Sequence, residues 1–293
     1  MFKRIFSLML CLLALLPAWA LAQQTVQENT QENTQVTHYL LLGQDGYAEN
    51  IVEDARTDTI VLVSLDEKYN RVVMTSILRD SRICNPNGND TKVNLLYRYF
   101  GFDGIIGCLE REMGVEIEGA VLVNFEHVKP VIDALGGVDI EINENEYVAI
   151  KSILLGRDPN MPKGPGMTHM TGRIALAYMR ARATGEGGDF SRTQRQRKVV
   201  SQLLDKCRDL SLTELVDIYN QVSGGVKMNL SAMDILGAIS KGYKLIKNGA
   251  DFAEFSVPQK GTYSYGTVGD SSSALMVRWK TNRERFHELL NNP

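Results

Sequence analysis

Apolar residues are spaced along this chain in several different ways, and each spacing predicts a different kind of segment. Near the start, Ile5 to Leu16 form an almost unbroken apolar run behind Lys3 and Arg4, closed by Pro17 and followed by Ala20-Leu21-Ala22. A basic start, a short apolar core and small residues at its end describe an export leader. The run falls short of the roughly 20 apolar residues that a membrane-spanning helix needs. A cleaved signal peptide over residues 1–22 is therefore expected, with an uncleaved membrane anchor as the alternative. Cys11 follows the bulky Leu10 inside the apolar core, which is no position for a lipid-modified cysteine. Residues 23–36, "QQTVQENTQENTQV", repeat QENT with almost no apolar side chains and predict a disordered polar spacer.

From residue 37 to 293 the pattern is that of one folded domain. "HYLLLGQD", "TDTIVLVSLD", "RVVMTSILRD" and "GAVLVNF" are short continuous apolar runs rich in β-branched residues, which predict strands buried on both faces. "VDIEIN" and "FAEFSV" predict further strands. Between them, "KVNLLYRYFGFDGIIGCLEREMG", "EHVKPVIDALGG" and "THMTGRIALAYMRAR" predict helices, the last with Ile174, Leu176, Ala177 and Met179 facing inward. After the break "GEGGD", a helix runs through "RTQRQRKVVSQLLDKCRDL" with Asp189 or Ser191 as its N-cap, carrying Val199, Val200, Leu203, Leu204 and Cys207 at helical spacing. "NLSAMDILGAISKGYKLI" and "TNRERFHELLNN" complete the helices. Strands alternating with helices predict an α/β class, a three-layer α/β/α domain around a central mixed β-sheet.

Composition narrows this picture. The 293 residues are 44% hydrophobic, enough for a sizeable core, and the formal charge is −3. Loss of residues 1–22 removes Lys3 and Arg4 and no acid, so the mature charge is −5. An acidic exported chain is a poor nucleic-acid binder. Four scattered histidines and no paired cysteine spacing offer no zinc site. Of the cysteines left after cleavage, Cys84 in a loop and Cys108 in a helix are expected to bridge, with Cys207 buried.

Against this acidic background, six Lys and Arg fall within the nineteen positions from Arg180 to Lys198. Arginines on a helix are commonly a solvated face, so the other candidate groups decide. Asp45 follows the first strand and Asp58 opens the second, so both carboxylates sit where loops meet a sheet edge. Such a pair suits Mg²⁺, which takes a few protein oxygens and leaves room for phosphate and water. Arg79, Arg180, Arg182, Arg192 and Arg195 supply guanidinium forks that match phosphate. Arg192, Arg195 and Gln196 share one face at the start of their helix, adding its free N–H groups. Together these residues describe a pyrophosphate pocket. There is no phosphate-binding loop and no Gly-x-Ser-x-Gly turn.

The ordered succession "LLLGQD", "ARTDTIVLVSLD", "SILRD", "KVNLLY", "VNFEHVKPVIDALGGVDIEI", "GPGMTHMTGRIALAYMRAR" and "GDFSRTQRQRKVV" resembles the LytR-CpsA-Psr family of cell-wall glycopolymer ligases. The resemblance implies an extracytoplasmic α/β/α phosphotransferase acting beside the membrane surface. It would move a phosphoglycan from a polyprenyl-pyrophosphate carrier to a peptidoglycan hydroxyl, with Mg²⁺ as cofactor. By the same resemblance Asp45 and Asp58 would bind the metal, and Arg79, Arg180, Arg182, Arg192 and Arg195, with Gln196, would bind the pyrophosphate. Arg79, Arg180, Arg182 and Asp189 would serve catalysis, and Asp80 or Asp189 would take the acceptor proton or orient arginines. The first motif departs from the family, since "QDGYAEN" lacks an arginine soon after the acid, and the sequence does not decide whether Arg56 replaces it. The sequence does not distinguish teichoic acid, capsule or another wall polymer as donor. A pyrophosphohydrolase using the same pocket, a polyanion-binding envelope regulator and a structural envelope protein are the competing classes. Tyr263, Tyr265 and Trp279 are candidates either for saccharide contact or for packing along a strand edge.

Overall fold

The computed structural model describes residues 36–44, 56–124, 128–181, 226–269 and 272–292, with residues 195, 198, 199, 202, 203, 206, 210 and 214. The leader, nearly all of the polar spacer and Cys207 lie outside the described residues. Strands β1 (Thr37–Gln44), β2 (Thr57–Asp66) and β3 (Arg71–Ile77) are almost wholly buried, as continuous apolar runs require. β4 (Arg82–Cys84) and β5 (Asp90–Lys92) form a small hairpin that leads into helix α1 (Val93–Met113). Then come β6 (Gly119–Asn124), α2 (Val128–Ala134), β7 (Val138–Ile142), α3 (Glu144–Ile153), β8 (Gly166–Met170) and α4 (Gly172–Arg180). The described part closes with β9 (Val226–Met228), α5 (Ala232–Lys247), β10 (Asp251–Val257), the hairpin β11 (Tyr263–Val268) and β12 (Ser272–Val277), and α6 (Trp279–Asn291).

A six-stranded mixed sheet in the order β10-β3-β2-β1-β6-β9 forms the middle layer. β1 pairs parallel to β6 and antiparallel to β2, and β3 pairs parallel to β10. Side chains alternate between the two faces of each strand. Leu40, Leu42, Ile60, Leu62 and Val73 point to a core closed by α1 and α6, where Leu96, Ile105, Leu109 and Phe286 are fully buried. Tyr39, Leu41, Val61, Val63 and Met74 point the other way, against Val131 and Ile132 of α2 and Ile174 and Met179 of α4. Val199 and Leu203 join that second core, and the described residues from 195 to 206 are helical, as their spacing predicts.

Two expectations change. "VDIEIN" is a strand, but it pairs with β8 in a separate two-stranded ribbon, across the intervening helix α3, rather than in the sheet. Its burial alternates, with Asp139 and Glu141 exposed, and a strand with one wet face has no place in a sheet covered on both sides. The helix expected from Thr168 starts at Gly172, because Thr168 to Met170 are used in that two-stranded pairing. Gly172 is needed there: a Cβ at this position would stand 2.2 Å from the Lys129 carbonyl oxygen, where α4 crosses α2. Cys84 and Cys108 carry free thiols in this structure, with the Cys108 thiol donating to the Cys84 carbonyl oxygen at 3.4 Å. The runs "VVMTSIL" and "AVLVNF" and helix α2 contribute their buried residues to the core.

Candidate active site

β1, β3, β6 and β10 run parallel, and their carboxyl ends share one edge of the sheet with the start of antiparallel β2. Ligands of open α/β sheets bind at this edge. Here the buried Gln44 ends β1 and pairs with Thr57 at the start of β2 and with Asn124 at the end of β6. Asp58 is the next residue of β2. Arg79 follows the end of β3 and reaches back to it, Nη1 to Oδ2 at 2.8 Å, with both side chains about one-fifth exposed.

The cluster extends along the chain. Arg79 Nε lies 3.4 Å from Asp80 Oδ2, and Lys92 Nζ donates to Asp80 Oδ1 at 2.9 Å. Two acids and two bases thus alternate, so the charges compensate one another without ligand. The β4–β5 hairpin leaves the site after Asp80 and returns at Lys92, so residues twelve apart meet again. Helix α1 begins directly after Lys92, whose side chain makes no capping bond. Its second residue, Asn94, is 3% exposed, donates its amide Nδ2 to Asp58 Oδ1 at 3.5 Å and donates its backbone N–H to the Arg79 carbonyl at 3.1 Å.

The second group lies at the end of α4. Arg180 is half-buried in the last turn, and Arg195, 3% exposed, donates from Nη2 to the carbonyl oxygen of Ala181, the C-cap of α4. This bond ties the basic helix to α4, so two of the predicted arginines come together. Behind them the fully buried Tyr178 donates its hydroxyl to Glu146 Oε1 at 3.4 Å. Burial pushes the Tyr178 phenol up, the Glu146 carboxylate adds to this and Arg195 opposes it. Glu146 also closes the capping box of α3 with Asn143.

Of the predicted site residues, Asp58, Arg79, Arg180 and Arg195 are described, and Asp45, Arg182, Asp189, Arg192 and Gln196 lie outside the described residues. Arg56 is exposed. Trp279 donates its indole N–H to the Arg82 carbonyl at 2.9 Å, a packing role. Tyr265 is 78% exposed and stacks edge-on with Tyr263 on β11, a strand of a separate hairpin rather than of the main sheet. Lys92, Asn94 and Glu146 are absent from the sequence reading. A helix entered through lysine, with no Ser, Thr, Asp or Asn as cap, was the one local signal that the start of α1 serves something other than capping. A cavity of about 770 Å³ at the opposite end of β1, lined in part by His38, Asp66, Glu118, Lys241 and His287, holds none of the predicted residues.

Among the described residues no three carboxylate, histidine or cysteine side chains gather as a metal-binding group, and the first cluster offers two oxygen donors. Asp58 offers a carboxylate, and the buried Oδ1 of Asn94 receives no hydrogen bond from any described residue. Oxygen donors of this kind are what Mg²⁺ takes.

A profile of the LytR_cpsA_psr family matches residues 18–282. The chain belongs to the LytR-CpsA-Psr family. A curated relative from Bacillus mycoides (strain KBAB4), a polyisoprenyl-teichoic acid–peptidoglycan teichoic acid transferase TagU, is 31% identical over 224 residues, 76% of this chain and 68% of the relative. A TagV transferase of the same kind from Bacillus subtilis (strain 168) is 30% identical over 200 residues, 65% of this chain and 49% of its own. The chain therefore spans between half and about two-thirds of the length of these two relatives. A solved structure described as TagT bound to LIIa-WTA aligns with a TM-score of 0.70 at 24% identity, covering 93% of this chain and 97% of the other. At that identity the likeness is one of fold, and it agrees with the mixed sheet and helical layers of this LytR-CpsA-Psr protein.

Proposed function

We propose that this protein is a Mg²⁺-dependent phosphotransferase that moves a phosphoglycan from a polyprenyl-pyrophosphate carrier to a hydroxyl of peptidoglycan. The observation that carries this reading is the compensated cluster of Asp58, Arg79, Asp80 and Lys92 at the carboxyl edge of the sheet. Its support from outside is the family, whose matched relatives are named as teichoic acid transferases. Teichoic acid is therefore the first donor to test, ahead of capsule or another wall polymer.

Phosphoryl transfer depends on positioning and charge neutralisation more than on a protein nucleophile. Magnesium held by Asp58, together with Asp45, would supply neutralisation of the pyrophosphate oxygens. Arg79, whose fork reaches Asp58 at 2.8 Å, is the guanidinium placed to bind the phosphate, and Asp58 is the carboxylate that would hold the cation. Arg180 and Arg195, fixed by the end of α4, hold the charge that gathers on the leaving prenyl phosphate, with Arg182, Arg192 and Gln196 as further donors. The acceptor oxygen forms the new P–O bond, the bond to the bridging oxygen of the pyrophosphate breaks, and the acceptor proton passes to a base. Asp80, bonded to both Arg79 and Lys92, orients those two cations, and Asp80 or Asp189 is the acid that takes the acceptor proton.

Export by the 1–22 leader puts the site on the outer side of the membrane, beside the lipid-linked donor and the wall. In that oxidising setting Cys84 and Cys108, whose carbonyl and thiol are 3.4 Å apart, close into a bridge.

The test is incubation of the purified protein with Mg²⁺, a prenyl-pyrophosphate-linked saccharide and a peptidoglycan oligosaccharide, with products read by mass spectrometry. A phosphodiester-linked conjugate is expected, abolished by EDTA and reduced about 10²- to 10³-fold in Arg180→Ala, as when a preorganised donor is lost. Free phosphosaccharide as the only product would replace the ligase with a hydrolase. Wild-type turnover in Arg180→Ala would remove this arginine from the mechanism.

A further inference from the structure

Asn94 is a residue whose burial is costly unless its side chain is used. It is 3% exposed, in the first turn of α1, and its Oδ1 has no hydrogen-bond donor among the described residues. A buried amide oxygen left in that state is a cost to the fold, which a donor entering the site would relieve. The orientation of the amide is set from two sides. The backbone N–H is bound to the Arg79 carbonyl, and the backbone carbonyl accepts from the Thr57 hydroxyl at 3.4 Å. The Nδ2 donor faces Asp58 Oδ1, and reversing the amide would set two oxygens against each other. The oxygen is therefore the group left over, beside a carboxylate whose other oxygen is held by Arg79.

We infer that Asn94 is a positioning residue of the cation site: its Nδ2 fixes Asp58, and its Oδ1 accepts a hydrogen bond from a water in the shell of the divalent cation that Asp58 holds. The inference rests on the proposed metal dependence of the site. Mg²⁺ sheds its waters reluctantly and is commonly held through them, and hydrogen bonds one step out from the ion set its affinity by about 10- to 100-fold. Asn at this place suits the task better than Asp. It both donates to Asp58 and accepts from the water, and it adds no third negative charge beside Asp58 and Asp80 before the ion arrives.

Mn²⁺ is the probe, titrated into the full chain and followed by the loss of the free-ion electron paramagnetic resonance signal, without donor or acceptor. Asn94→Ala removes donor and acceptor; Asn94→Asp keeps an acceptor and loses the donor. Thermal melts establish that each variant is folded, and Asn94→Asp keeps the outcome readable if Asn94→Ala is not. The expected result is Mn²⁺ binding in wild type, at least tenfold weaker binding in Asn94→Ala, and binding between the two in Asn94→Asp, which keeps the acceptor and loses the donor to Asp58. Affinity in folded Asn94→Ala within about twofold of wild type overturns the role of Asn94 while leaving the metal site standing. Weaker binding in Asn94→Asp than in Asn94→Ala overturns the acceptor role and leaves only the donor. Absence of Mn²⁺ binding in wild type removes the inference and the proposed metal dependence together.

Discussion

The stability of this protein should fall as pH drops from about 7 to about 5, and His38 is the main cause. The imidazole sits on β1, 7% exposed, with Nδ1 2.8 Å from the Ser64 hydroxyl on the neighbouring strand. Burial, and next the adjacent His287, lower its pKa from 6.5 to about 4. In the unfolded chain the ring takes its proton near 6.5; in the fold it does so only near 4. Between those values the unfolded state binds the extra proton, so acid favours unfolding. Integrated from about pH 7 to about pH 5, the difference removes roughly 2 kcal/mol, a sizeable part of an ordinary domain's stability. The assay is urea unfolding followed by circular dichroism across this range, comparing wild type with His38→Gln, which keeps a hydrogen-bonding side chain but does not titrate. The gap between the two proteins should narrow by about 2 kcal/mol on acidification. Parallel pH profiles would refute a neutral buried His38, whatever the absolute stabilities.

Two further outcomes are expected. Gly172→Ala brings a Cβ within 2.2 Å of the Lys129 carbonyl, a backbone atom that does not swing aside. It should lower stability by about 1–3 kcal/mol in thermal or urea unfolding, and an unchanged midpoint would mean that α2 and α4 are not held as described. Peptide mapping of protein isolated from an oxidising compartment without reductant should recover Cys84 and Cys108 in one linked fragment. Recovery of both as alkylated free thiols would reject the bridge.

Much of this protein is determined by its sequence read locally. The continuous apolar runs of β1, β2, β3 and β6 announce strands buried on both faces, because the sheet they form is covered on each side. Inward spacing in α4 likewise marks Ile174 and Met179, both fully buried. The site chemistry was legible as residue types, since carboxylates at strand ends and clustered arginines have few other uses together. What the local pattern does not contain is pairing over distance. Nothing near "VDIEIN" says that its partner is "GMTHM" rather than a strand of the central sheet, because strand pairing is decided by what remains to be covered once the sheet has formed. Nor does the sequence near Asp58 indicate that Arg79, twenty-one residues on, neutralises it, or that Asn94, thirty-six residues on, lies against it. Those contacts exist because the start of β2, the end of β3 and the start of α1 meet at one edge of one sheet, and only the folded chain brings that edge together.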